Sequence, residues 1–459
     1  MFRGRGVRGL AAAGGLVLSA VLMMSTAGAA EPGLDSSYGE GGAVQLAGVV
    51  PPGLNPDPNS EAYAALAVPA GVLVASPAQA CTTPWESGCE QLLTIRRYGP
   101  TGRPDPTYGE GGFLTVSEQS GPNQKLAVDG RGRLLVAAQE SVRGPYALTR
   151  YTSAGRLDRR FGEGGHVAVA ALPRQGSMRG LVVSPNGQIT LEVDGTAHNL
   201  PNSGMEARKV TLVRLRADGR LNLGFGKRGR LSFATPAGAS EIVATQKNGV
   251  LIGSSSCCAG GDYTPVYRIG ASGRLDTRFG ARARRAQVRL LSGFKAPAVN
   301  TVVARPDGKV DLLGSAEPFA TDGGFVLRLG ADGSADASFG NGGVTRVATG
   351  LVSGVAGGGG STLALYESFP PYPSEAEAQS YVERFRADGS PDPAFGGEQG
   401  LPLPLPGPGA EIVASSSGAA AILVRRWRTC REICPALPYL TRVIEPAAPE
   451  ADHKKGKNR

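Results

Sequence analysis

Histidine is almost missing from this 459-residue chain: His166, His198 and His453 are the only three, and none stands near a cysteine pair. The ligand spacing of a zinc site is therefore absent. So are a GxSxG nucleophile elbow, a phosphate-cradling glycine loop and a spaced calcium loop. No metal and no cofactor is expected, and no catalytic residue is legible. Long helical periodicity is also lacking, which excludes helix bundles and alternating α/β folds and leaves an all-β chain. Beyond the first thirty residues no apolar run reaches the roughly 18 residues that cross a bilayer, so no transmembrane segment is expected.

What is present begins with a targeting pattern. Arg3, Arg5 and Arg8 precede the apolar run LAAAGGLVLSAVLMM and the small residues STAGAA. That order is the one of a Sec-type signal peptide spanning residues 1–30, without the adjacent arginines of a twin-arginine route. Residues 31–446 form the body, and residues 447–459 a basic disordered tail. The formal charge of +9 is concentrated at the two ends. The nearly balanced body argues against nucleic acid as a partner. A secreted or cell-surface protein, monomeric and with six cysteines in an oxidising compartment, is the resulting expectation.

Glycine is abundant, at 68 residues, and much of it recurs in one pattern. An aromatic-glycine pair ends LDSSYG at Gly39, PDPTYG at Gly109, LDRRFG at Gly162, LNLGFG at Gly226, LDTRFG at Gly280, ADASFG at Gly340 and PDPAFG at Gly396, in steps of 53 to 70 residues. A unit of that length is too long for a solenoid coil and suits a propeller blade of four short strands. Within each unit, alternating apolar runs are separated by Asn-Gly and Asp-Gly turns, a hairpin signature. We name the four strands a, b, c and d, with a following the aromatic-glycine pair.

An arginine in strand d stands eight residues before the motif acid or amide: Arg97 and Asp105, Arg150 and Asp158, Arg214 and Asn222, Arg268 and Asp276, Arg328 and Asp336, Arg384 and Asp392. The last unit has Arg442 with no motif after it, and the first motif, Asp35, has no strand d before it. The loose ends complement each other as a closed ring requires. The sequence thus predicts a seven-bladed β-propeller with four antiparallel strands per blade, closed by Asp35 meeting Arg442. Seven equal copies make poor catalysts, so these residues read as a structural joint between blades, with the aromatic ring filling the wedge.

The stretch LTRYTSAGRLDRRFGEGG, preceded by PDGK or PNGQ turns and LLVAA-like strands, resembles the delta-60 repeat family of exported and surface-associated bacterial proteins. The resemblance covers roughly residues 34–446 and implies architecture, since that family has no common catalytic motif to transfer.

Irregular sequence gathers in the a–b and c–d connections, which alternating strand direction places on one face. All six cysteines are in c–d loops: Cys81 and Cys89, Cys257 and Cys258, Cys430 and Cys434. They read as three local bridges, or as a cross-link of Cys81 or Cys89 to Cys430 or Cys434 that locks the ring. Trp85 and Trp427 share these loops with Arg425, Arg426, Arg428 and Arg431. Such an aromatic and cationic patch suits a polysaccharide, a cell-wall polymer or a protein; the contrary reading packs each indole on its own disulfide. The expected function is an exported binding or surface-interaction scaffold. The alternative is a hydrolase or lyase with its site at the mouth of the central channel.

Overall fold

The structure is a computed structural model that describes residues 33–46, 50–56, 64–81, 89–117, 124–139, 144–199, 206–235, 239–254, 263–280, 287–289, 298–315, 323–347, 351–368, 379–397, 399–404, 409–414, 419–424 and 438–445. These residues belong to one compact unit, Pro32–Arg459. The expected signal peptide and basic tail lie outside them.

Short apolar runs broken by tight turns leave the chain little choice but hairpins. In SPNGQ, the amide of Gly187 donates to the Ser184 carbonyl at 2.8 Å, and Asn186 Oδ1 accepts from the Gln188 amide. In RPDGK, Gly308 and Asp307 repeat the arrangement against Arg305 and Lys309. Such side-chain-capped turns reverse the chain without leaving backbone groups unpaired.

The strands assemble into seven antiparallel sheets, the blades of a propeller. The third blade shows the order: Ser177–Val183, Ile189–Asn199, Glu206–Leu215 and Arg230–Thr235, hydrogen-bonded in that sequence. The first strands of successive blades pack against one another around the centre: Ala64–Val68, Lys125–Val128, Ser177–Val183, Ala239–Ala244, Ala298–Ala304, Leu351–Ala356 and Gly409–Ala414. The seventh packs against the first, so the ring is closed.

Each sheet is offset from the sequence unit by one strand. Strands b, c and d join the a strand that follows the next motif, as Tyr146–Tyr151 pairs with His166–Ala168. The offset is what makes closure possible. In the seventh blade, Tyr439–Ile444 pairs on one side with Ala419–Val424 and on the other with Gly33–Leu34 and Ala43–Gln45 from the chain's beginning. Separate hydrophobic clusters fill the gaps between adjacent blades. One, at the closing seam, unites Tyr38, Leu46 and Val72 with Ala421, Leu423 and Leu440.

The aromatic-glycine turn is sterically demanding. Gly109 sits at φ +65°, and a Cβ there would lie 1.9 Å from the Phe113 carbonyl oxygen; Gly111 sits at φ +60° with nothing within 4 Å. Gly109→Ala is expected to cost about 2–4 kcal/mol, strain plus overpacking, and Gly111→Ala only about 1 kcal/mol, strain alone. Denaturant unfolding of the two variants checks the difference.

Candidate functional site

The motif residues lie on the face formed by the b–c and d–a turns. Arg150 Nε donates to Asp158 Oδ2 at 2.8 Å, Arg268 Nε to Asp276 Oδ2 at 2.9 Å, Arg97 Nε to Asp105 Oδ2 at 2.8 Å and Arg442 Nε to Asp35 Oδ2 at 2.7 Å. Arg384 and Asp392 are also bonded. In four of these pairs the other carboxylate oxygen accepts from the turn that follows, as Asp105 Oδ1 does from the Thr107 amide at 2.8 Å, whereas Asp392 Oδ1 accepts from Arg386. Hydrogen bonds from Thr107 and then Arg97 hold the Asp105 carboxyl down at about 2.

Arg97, Arg150, Arg214, Arg268 and Arg328 reach the neighbouring blade. Their terminal nitrogens donate to the carbonyls of Ser153, Ala217, Ala271, Ala331 and Ala387, which occupy one repeated position in the next blade. The motif glycine amide does likewise: Gly162 N donates to Asp218 O at 3.0 Å, and Gly39 N, across the closing seam, to Thr101 O at 3.0 Å. Six of the seven guanidinium groups, all but that of Arg384, also cover the motif ring, with Arg150 4.3 Å from the Phe161 centroid and Arg442 5.3 Å from that of Tyr38. The arrangement links blade to blade and leaves little charge free for a ligand.

Two units depart from the pairing, and strand register explains both. Opposite the d-strand arginine, strand c places Leu73, Leu135, Leu251, Leu363 or Ala421, which offer no hydrogen-bond acceptor on their side chains. Opposite Arg214 it places Thr190, and opposite Arg328 it places Asp311. Arg214 accordingly donates to Thr190 Oγ1 at 2.9 Å. The expected side-chain pairing of Arg328 with Asp336 is not formed. Arg328 binds both oxygens of Asp311 at 2.7 and 3.1 Å, the closer acceptor, while Asp336 takes Lys309 at 2.7 Å.

Of the cysteines, Cys81 and Cys89 are bonded to each other, the local pairing. Cys257, Cys258, Cys430 and Cys434 lie outside the described residues, as do Trp85, Trp427, Arg425, Arg426, Arg428 and Arg431. His166 sits on the outer strand of the second blade, its Nδ1 3.0 Å from Thr149 Oγ1.

A cluster that sequence reading did not single out lies at the opposite end of the channel, where the innermost strands begin. Lys125 opens the inner strand of the second blade, and Arg179 interrupts the inner strand of the third as a β-bulge between Met178 and Gly180. Behind them, strand c of the third blade carries Glu192 and Asp194. Arg179 Nε is 3.4 Å from Asp194 Oδ2. Burial, and next the charge of Arg179, lower the Lys125 ammonium. Glu192 is 0% exposed, and among the described residues neither of its carboxylate oxygens has a hydrogen-bond partner. Burial, and next the charge of Asp194, push its carboxyl up to about 8. It is therefore neutral at pH 7. The signal was available in the repeat. At the Glu192 position the other blades place Ala75, Ala137, Gly253, Leu313, Leu365 and Leu423, so a carboxyl there departs from every other unit. Among the described residues no group of three or more His, Cys, Asp and Glu side chains is arranged to hold a metal.

A family model described as a β-propeller domain of unknown function, DUF5122, matches residues 305–339, which run from the b–c turn of the fifth blade through its motif aromatic. No curated protein matches the chain. Among solved structures, the chain is similar to a prolyl endopeptidase studied for inter-domain dynamics in catalysis and specificity, at 14% identity and a TM-score of 0.41 over 83% of this chain and 48% of that one. Prolyl oligopeptidase B from Galerina marginata gives 12% and 0.40, over 80% and 48%. The chain thus spans about half the length of these peptidases. The polysaccharide lyase Uly1 gives 10% and 0.46, over 82% and 88%. At such identities none of these likenesses bears on this chain's chemistry.

Proposed function

We propose that this protein is an exported propeller of delta-60-like repeats that acts as a binding scaffold, with its ligand-facing end at the a–b and c–d connections. The carrying observation is the division of charge between the two faces. On the turn face, the motif arginines and acids are engaged in joints between blades. At the other end, Lys125 and Arg179 stand on adjacent inner strands without a place in any joint. The Cys81–Cys89 bridge at that end supports an extracellular setting, since disulfides persist where thiols are not reduced. A hydrolase or lyase would need acids that a substrate can touch, and Glu192 and Asp194 lie beneath the surface.

The test is retention of the full mature chain on insoluble cell-wall polymers and polysaccharides. Retention should fall at least about tenfold for a Lys125→Ala, Arg179→Ala double variant and stay unchanged for Arg278→Ala, an exposed residue of the turn face. Equal losses, or retention on no polymer, would count against the scaffold reading.

A further inference from the structure

We propose that Lys125 and Arg179 form a binding site for the carboxylate group of a small ligand entering the channel mouth, which names the ligand class for the binding end argued above. The Lys125 ammonium has no hydrogen-bond partner among the described residues. The neighbouring Gln124 Nε2 is shut from water and has no partner either. Among the described residues Arg179 makes one ion pair, the 3.4 Å approach to Asp194, and its side chain remains 42% exposed.

Backbone geometry aims that arginine. The bulge lifts it out of the ladder between strands b and c, the usual way in which a bulge redirects a side chain. Bulges at the same place in four other blades carry Ser240, Asn300, Val352 and Ala410. Only the third blade puts a cation there, beside the blade whose inner strand begins with a lysine.

Charge selects the ligand. Two cations, Lys125 and Arg179, face one paired acid, Asp194, and a protonated Glu192, so positive charge is in excess. The surroundings of Glu192 keep it protonated: Asp194 on its own strand, Leu212 opposite on strand d, Gly180 opposite on the inner strand and Ile242 of the next blade. Only Arg179 opposes this, and its effect is the smaller one. A carboxylate is matched by this excess, whereas a dianionic phosphate brings a larger desolvation cost into the partly buried site.

Three hexoses that differ at C6 make the experiment: D-galacturonate, D-galactose and D-galactose 6-phosphate, titrated into the full mature chain by NMR at low ionic strength. At pH 6.5 galacturonate should bind at least about tenfold tighter than galactose and tighter than the phosphate; Lys125→Gln and Arg179→Gln should each weaken it about tenfold, Lys125→Gln without altering the melting temperature. Between pH 6.5 and 9 the affinity should fall as Glu192 ionises, and Glu192→Gln should diminish that fall. Equal binding of galactose and galacturonate, tighter binding of the phosphate, no binding at about 50 mM galacturonate, or indifference to both cation variants would overturn the proposal. If Arg179→Gln unfolds the chain, Lys125→Gln decides. Retention on cell-wall polymers with no response to galacturonate would sink this inference and leave the scaffold reading standing.

Discussion

Replacing Asp311 with alanine is expected to cost about 3–5 kcal/mol, because it leaves buried guanidinium groups without their counter-charge. Asp311 is fully buried on strand c of the fifth blade. Arg305 Nη1 donates to its Oδ2 at 2.7 Å, Arg328 Nε to its Oδ1 at 2.7 Å and Thr362 Oγ1 of the next blade to its Oδ2 at 2.6 Å. Further bonds run from Arg305 Nη1 to the Ser361 carbonyl at 3.0 Å and from Arg328 Nη2 to Thr362 Oγ1 at 2.9 Å. A network satisfied to this degree has no cheap rearrangement once its centre is removed. Asp311→Leu restores what four other blades carry opposite the arginine, and it should cost less than Asp311→Ala, since the larger side chain fills the buried space that alanine leaves empty. Equilibrium denaturation of the two variants measures the difference. Equal stability of wild type and Asp311→Ala would show that the cluster contributes nothing.

Removal of residues 33–46 is expected to abolish cooperative folding. The segment supplies the outer strand of the seventh blade and buries Tyr38 and Leu46 almost completely, and each such side chain is worth about 1.5–3 kcal/mol. Together with the lost strand pairing, the deficit is at least about 5 kcal/mol, a large part of a typical domain's stability. A permuted chain that carries residues 33–46 after Glu445 through a flexible linker should recover a single sharp melting transition. Failure of the permuted chain to recover would show that the segment acts other than by closing the ring.

The smaller variant Asp35→Ala isolates the joint and should cost about 1–3 kcal/mol at neutral pH. Burial alone would raise the Asp35 carboxyl, but hydrogen bonds from Ser37 and Arg442 prevail and hold it below the ordinary aspartate value. A carboxyl depressed in the folded state stabilises above its unfolded pKa and loses that contribution as pH falls through the folded one. The deficit of Asp35→Ala should therefore be full at pH 5 and above and shrink as the pH drops below about 4.

The architecture and its closure were readable from the chain alone, and the sites were not. The constant interval from Arg97 to Asp105, or from Arg150 to Asp158, spans one strand end and one turn, so neighbouring residues determine its backbone bond, Asp105 N to Arg97 O, wherever it recurs. The unmatched Asp35 and Arg442 extended that local rule to the ends of the chain. Which acceptor Arg328 takes was decided by the fold, because Asp311 lies 17 residues away in sequence yet directly opposite across the sheet. The meeting of Lys125, Arg179 and Glu192 depended on more still: a bulge in one strand, the packing of two inner strands and a buried carboxyl behind them. A repeat encodes contacts that each unit makes in the same way. A departure from it, such as Glu192 where other blades are apolar, acquires meaning only when the closed ring determines which neighbours surround it.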